Sequence, residues 1–391
     1  MKYNFDKVID RSGTSAEKVE GLKHIWGRTD LIPLWVADMD FATAPFVTDA
    51  IRKRCENEVL GYTGKPDSYY NAIINWVKQR YDLIVTKEVI NFVPGIVPGI
   101  GMAMNCFTQK GDKVMIQPPV YHPFAWVTTR NERTLVINPL KWENGMYRMD
   151  LDAFREQIKG CKLFILCNPH NPGGVVWTEA ELRAIADICY DEKVLVFSDE
   201  IHADLTLPPH THRPFATVSE KARMNSVTFM SPSKAFNMPG LSASHALIFN
   251  EDLRKRFRIY MDAGELDMGH VFAFLSVEAA YSHGTEWLDQ CLAYIQGNID
   301  FVDDFLKNHA PKIKAIRPEA SYLVWLDCRE LELSQKDLNE FFVDKAHLAL
   351  NDGEMFGKEG IGFMRLNVAS PRCIIEKAMK QLADAYQLYI K

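Results

Sequence analysis

From about residue 46 to 285, short apolar runs alternate with stretches of helical period. The strand-like runs are 113–117, 134–137, 163–167, 194–198, 227–230 and 245–249. Between them, residues 179–192 place Leu182, Ile185, Ala186 and Ile188 at helical spacing. Nearly continuous apolar strands separated by helices predict an α/β unit, with a mainly parallel sheet covered on both faces. Ligands of such sheets bind beyond the carboxyl ends of the strands. Beyond about 286 the pattern changes to a long helix (287–308), short strands at 322–326 and 363–367, and a last helix at 371–389. These read as a smaller α+β domain. Residues 1–45 are mixed and polar and read as an arm lying on other structure. The division is therefore 1–45, 46–285 and 286–391.

Composition narrows the function classes. A chain of 391 residues exceeds one ordinary core. Its net charge of −6 argues against binding driven by nucleic-acid phosphates. No apolar stretch reaches membrane-spanning length. The eight cysteines form no C-x-x-C pair, and several lie in apolar runs. They read as reduced thiols of a cytoplasmic protein. His202, His210 and His212 lack a Cys or acidic residue at ligand spacing, so no metal site is expected.

Polar residues at predicted strand ends are the candidates for chemistry. Lys234 lies in Ser231-Pro232-Ser233-Lys234-Ala235-Phe236-Asn237, just past a strand. An isolated lysine is usually a solvated charge. A desolvated one can lose its proton and attack a carbonyl. Asp199 ends the 194–198 run and His202 follows three residues on. Asp199 reads either as a cap or ion-pair partner, or as an anion that keeps a heterocyclic nitrogen protonated. Asn171 lies in Asn168-Pro169-His170-Asn171-Pro172-Gly173-Gly174, a turn composition directly after a core strand. Pro94-Gly95-Ile96-Val97-Pro98-Gly99 precedes a helical run and suits a phosphate at a helix start. It is neither a Walker loop nor a dinucleotide fingerprint. Tyr121 follows another strand and could stack on a flat ring. Arg365 sits inside an apolar strand and needs a carboxylate, internal or from a substrate.

In order and spacing, Asn171, Asp199, His202, Ser231, Ser233, Lys234 and Arg365 resemble the pyridoxal-phosphate enzymes of fold type I, with the aspartate aminotransferase fold. The strings Trp35-Val36-Ala37-Asp38-Met39-Asp40-Phe41, Gly61-Tyr62-Thr63-Gly64, Pro118-Pro119-Val120-Tyr121 and Ser198-Asp199-Glu200-Ile201-His202 are similar to those of the MalY/PatB-like cystathionine β-lyases, the cystalysin-like C–S lyases. The resemblance covers the full length and implies a seven-stranded large-domain sheet. It implies pyridoxal 5'-phosphate joined to Lys234 as a Schiff base, with Asp199 on the ring nitrogen and Asn171 and His202 on the ring hydroxyl oxygen. Tyr121 would stack on the ring and assist as an acid. Ser231, Ser233 and the Gly95-Ile96-Val97 backbone would hold the phosphate. Tyr62 would reach the site of a second subunit in a homodimer with shared active sites. Arg365 would bind the substrate carboxylate, and Ala37, Asn171 and Tyr62 would line the substrate's place.

The implied reaction is α,β-elimination from L-cystathionine, L-cysteine or an S-conjugate. Aminotransferase chemistry is the nearest rival. A fold-retaining regulator that binds a protein partner is another. Gly95 stands where some relatives carry serine, Gly173 where aminotransferases often carry threonine, and His122 where some close relatives carry a second tyrosine or another residue.

Overall fold

The computed structural model describes residues 1–389. Seven strands form the large sheet: β1 (Ile90–Val93), β2 (Lys113–Ile116), β3 (Thr134–Ile137), β4 (Cys161–Cys167), β5 (Leu195–Asp199), β6 (Ser226–Met230) and β7 (Ser244–Leu247). Their spatial order is β1-β7-β6-β5-β4-β2-β3. The pairs from β6 through β3 are parallel, whereas β7 runs antiparallel to both β1 and β6. The mainly parallel α/β sheet is therefore as expected. The strand absent from the sequence reading is β1, an Ile-Asn-Phe-Val run ahead of Pro94.

The helices used below are α1 (Glu17–Trp26), α2 (Asp67–Tyr81), α3 (Ile96–Phe107), α4 (Pro123–Arg130), α5 (Glu179–Asp191), α6 (Glu251–Ala263), α7 (Val271–His283), α8 (Thr285–His309) and α9 (Arg372–Tyr389). Alternation along each strand sends its side chains into two cores. Leu163 and Ile165 of β4 and Val227 and Phe229 of β6 meet Ile100 and Met104 of α3, Phe124 of α4 and Phe257 of α6. On the opposite face, Phe164, Leu166 and Val196 meet Leu182, Ile185 and Cys189 of α5. Further along that face, Phe92, Met230 and Leu247 meet Trp76 of α2 and Phe274 and Val277 of α7. The start of α5 is fixed by a capping box between Thr178 and Glu181. This explains why its helical period starts where the sequence suggests.

A second, antiparallel sheet contains β8 (Lys314–Ile316), β9 (Leu323–Asp327), β10 (Asn351–Asp352) and β11 (Phe363–Asn367), in the order β8-β9-β11-β10. Helices α8 and α9 pack beside it. Asn298 of α8 donates to the carbonyls of Val368 and Ser370 at 2.9 Å, which ties the helix to the end of β11. The polar N-terminal arm contains α1, which the sequence reading did not separate as a helix. All eight cysteines are unpaired. No helix among the described residues is long and apolar enough to cross a membrane.

Candidate active site

One cleft opens where the carboxyl ends of β4, β5 and β6 face the start of α3. Ala37, Gly95, Ile96, Val97, Tyr121, Asn171, Asp199, His202, Ser233 and Lys234 all line it. Thus most of the proposed site residues, spread over some two hundred positions, converge on one volume at the end of the sheet.

Lys234 sits in the turn after β6. Its Nζ donates to the Ala37 carbonyl at 2.6 Å. Burial lowers the amine to about 8, with Asp38 and Asp199 opposing and Arg365 reinforcing the shift. The turn is held in place by Asn237. Its Oδ1 accepts the Met39 N–H at 3.0 Å, and its Nδ2 donates to the carbonyls of Met39 and Phe41. One asparagine thus locks the lysine turn to the arm loop 35–41.

Asp199 closes β5 and is buried. Its Oδ1 accepts the Ile201 N–H at 3.1 Å, and its other oxygen has no hydrogen bond among the described residues. Burial pushes the carboxyl up to about 7; the Ile201 N–H and the Lys234 charge oppose this, and neighbouring Glu200 adds to it. Such a carboxylate calls for a cationic or N–H partner. His202 is buried with Nδ1 unpartnered, and burial lowers it to about 3, aided by the Lys234 and Arg365 charges. It is neutral and free to bond. By contrast, His212 pairs with the buried Glu200 at 2.8 Å, and His210 lies 3.7 Å from Glu319. The three histidines therefore diverge.

Arg365 lies in the middle of β11 and is buried. Nη1 donates to Asn171 Oδ1 at 3.1 Å, and Nη2 donates to the Trp35 carbonyl at 3.1 Å and to Asn351 Oδ1. Of the two carboxylates the sequence allowed, no internal one appears: among the described residues Arg365 has only neutral acceptors, and its Nε is unpartnered. Burial lowers it to about 10, still fully charged at neutral pH. The bond from Arg365 also orients Asn171, leaving its amide N–H groups for the cleft. Tyr121 forms the wall opposite, and burial, then Asp199, raises its phenol, so it stays protonated. Its neighbour His122 is lowered to about 4 by burial and then by Arg365, and packs on Trp126 with ring centroids 4.4 Å apart.

The phosphate end differs in detail from expectation. Gly95 has φ +147, which a serine would adopt only with strain, and it leads into the first turn of α3. The amides of Ile96 and Val97 are there without intrahelical partners. Ser233 lines the cleft, but Ser231 does not. The Ser231 hydroxyl donates to the Ala243 carbonyl at 2.8 Å and accepts the Ser233 N–H at 3.1 Å. It shapes the turn rather than facing the cleft. Ser242 and Ser244 line the cleft unforeseen. So do Cys167 and Ile201, while Tyr322 reaches the Ala37 carbonyl from β9's leading edge at 2.9 Å. Ile201 lies within the Asp199–His202 string and Cys167 ends the 163–167 run, but no local motif marks Ser242, Ser244 or Tyr322, which tertiary packing brings in. The place of a threonine at 173 is taken by the His170 ring, 2.9 Å from where a Cβ would lie. Tyr62 is 98 % exposed and lies outside its own chain's cleft.

Residues 29–382 match the family model "Aminotransferase class I and II". The chain belongs to that family. Within the aminotransferase class I and II family it is similar to cystathionine β-lyase PatB of Bacillus subtilis (strain 168), with 38% identity over 384 residues, covering 98% of this chain and 99% of the relative. Among solved structures of the family, cystalysin from Treponema denticola, which contains pyridoxal 5'-phosphate, superposes with a TM-score of 0.96 at 33% identity over 100% of both chains. The pyridoxal-phosphate-bound C–S lyase from Staphylococcus hominis superposes with a TM-score of 0.91 at 35% identity, covering 99% of this chain and 98% of that one.

Proposed function

We propose that the protein is a pyridoxal-phosphate-dependent carbon–sulfur β-lyase, cleaving L-cystathionine, L-cysteine or a related S-conjugate to a thiol, pyruvate and ammonia. The observation that carries this reading is Lys234, a desolvated amine on the Ala37 carbonyl in the same cleft as Asp199. The residues fit the cofactor. The open oxygen of Asp199 suits a protonated ring nitrogen, and the orphaned His202 and the freed Asn171 amide suit the ring oxygen. The amides of Ile96 and Val97, with Ser233, suit the phosphate.

When bound, the cofactor supplies an electron sink for the α-carbon of an amino acid joined to it. The chain's own groups do the rest. Arg365, lacking an internal anion, takes the substrate α-carboxylate and fixes which bond stands over the ring. Lys234, released when the substrate amine replaces it, accepts the α-proton as general base. Its amine, held near pH 8, is available at mildly alkaline pH. Asp199 would keep the ring nitrogen protonated by presenting its carboxylate to it. The Cβ–S bond then breaks with its electrons on sulfur, the thiolate takes a proton from Tyr121 or Lys234, and the released aminoacrylate takes up one water to give pyruvate and ammonia. Ser231 supports this site by shaping the Ser233 turn.

The proposal extends to a homodimer and a cytoplasmic location. Tyr62, bare in the single chain beside exposed Val59 and Leu60, supports a homodimer in which it serves the partner's site. Unpaired cysteines support a cytoplasmic location. Family membership keeps transamination as a second reading. The test is to supply cystathionine or cysteine, without keto acid, to protein loaded with pyridoxal phosphate. Stoichiometric pyruvate is expected, and Lys234→Ala should abolish it. Pyruvate that forms only when a keto acid is added would replace the lyase reading with an aminotransferase.

A further inference from the structure

The acidic residues of the arm loop are not needed by the chemistry above, yet they sit in a built network. Asp38 flanks Ala37, whose carbonyl receives both Lys234 Nζ and the Tyr322 hydroxyl. Arg11 forks onto Asp38, with Nη2–Oδ2 2.6 Å and Nη1–Oδ1 3.1 Å, and reaches Asp40 Oδ1 at 3.1 Å. Lys18 of α1 has a fully buried side chain, and its Nζ lies 2.8 Å from Asp40 Oδ2 and 3.7 Å from Asp38 Oδ1. Ser370 adds a bond to Asp40 Oδ2 at 2.9 Å. Two cations thus face two carboxylates, one and three residues from the lysine's contact. The same loop is anchored to the site on its other side. Asn367 donates to the carbonyls of Val36 and Asp38, and Arg365 to that of Trp35.

A buried lysine is a poor choice for merely attaching an arm, because desolvating it is costly unless its partners are fixed. We propose that Arg11 and Lys18 are positioning residues for the reaction, which neutralise Asp38 and Asp40, hold the 35–41 loop against Lys234 and set the net charge that Lys234 feels. The inference rests on Lys234 being the amine that joins the cofactor. The charges facing Lys234 come from several elements: Asp38 on the arm loop, Asp199 on β5 and Arg365 on β11. Neutral His202 and the phenols of Tyr121 and Tyr322 complete its surroundings. Of the anions, Asp38 is the one whose charge the arm can mask.

The sign separates this role from simple support. Removing Arg11's charge unmasks an anion near Lys234, favours the protonated nitrogen and raises its midpoint. Removing Asp38's charge does the reverse. The measurement is a spectrophotometric pH titration of the protein's Schiff base with pyridoxal phosphate. Arg11→Gln is expected to raise the midpoint, and Asp38→Asn to lower it, each by about half a unit to one unit for a charge at this range. Arg11→Lys should sit near the wild type, and the double variant Arg11→Gln/Asp38→Asn should return toward it. Midpoints that stay put, or that move in the same direction in both single variants, would overturn the inference. Should Arg11→Gln lose its fold, a downward shift in Asp38→Asn set against an upward shift in Lys18→Gln carries the same decision. A wild-type protein that forms no borohydride-reducible adduct dependent on Lys234 would instead remove the functional reading beneath it.

Discussion

Arg365 and Lys234 show what a single side chain can decide. A guanidinium buried on β11 with only neutral acceptors carries a charge that meets no anion among the described residues. Arg365→Lys keeps the charge but loses the fork. We expect KM for the amino-acid substrate to rise about 10- to 100-fold, the worth of a charge-assisted hydrogen bond or two. The cofactor's visible spectrum should stay intact. A loss of cofactor binding in that variant would place Arg365 in support of the fold instead. For Lys234 the sign follows from its proposed role as base. Its pKa lies below the ordinary lysine value, at about 8, and only the unprotonated amine accepts the α-proton. kcat should therefore climb as pH rises through about 8 and level off above it, as steady-state rates across pH would reveal. Both residues were legible in the sequence, because a charged residue at or within an apolar strand stands out against its neighbours. Asn351 and Tyr322 were not. Asn351 meets Arg365 across the β10–β11 ladder, and Tyr322 meets Ala37 across nearly three hundred residues. Neither contact leaves a local pattern.

The cofactor's phosphate would rest on an element junction, where α3 approaches the sheet. At Gly99 a Cβ would come within 2.9 Å of Val93 Cγ2 and 3.1 Å of Phe229 Cε1. The helix start can therefore lie close to β1 and β6 only if this position has no side chain. Gly99→Ala gains helix propensity but must push α3 outward. We expect overpacking to win, with a net loss of about 1–3 kcal/mol in urea unfolding and weaker pyridoxal-phosphate affinity, since the amides of Ile96 and Val97 move with the helix. A variant as stable as wild type would show that α3 has slack. The legibility of elements follows the same physics. Helix α5 was readable because it is half-buried and its period is strong, and a capping box marks its start. Strand β1 was missed because its four residues are all buried, so neither period is visible, and Asn91 interrupts the run. Helix α1 was missed because its apolar face is narrow and it anchors through Lys18, which reads as a surface charge in sequence.

At the scale of the whole molecule, the open question is whether one chain makes a complete site. Within a single chain the cleft is lined by Lys234, Asp199, Asn171 and the start of α3, yet Tyr62 lies bare on a segment with exposed Val59 and Leu60. An aromatic residue 98 % exposed next to two exposed aliphatic ones is the composition of a surface awaiting a partner. If the partner is a second copy whose cleft receives Tyr62, two-fold symmetry makes the loan reciprocal. Two inactive variants then complement each other. Lys234→Ala has no usable lysine but an intact Tyr62, while Tyr62→Ala has the reverse defect. In a mixed dimer, the Lys234 of the second chain is served by the Tyr62 of the first, so one site of the two is whole and the other carries both lesions. Random reassembly of an equal mixture puts half the dimers in the mixed form, so about a quarter of wild-type activity should return. The check is to refold or exchange the two variants together and assay pyruvate release, with light scattering to establish the dimer. Activity that merely averages the two separate variants would mean Tyr62 acts within its own chain or not at all. A monomer in solution would remove the shared site altogether.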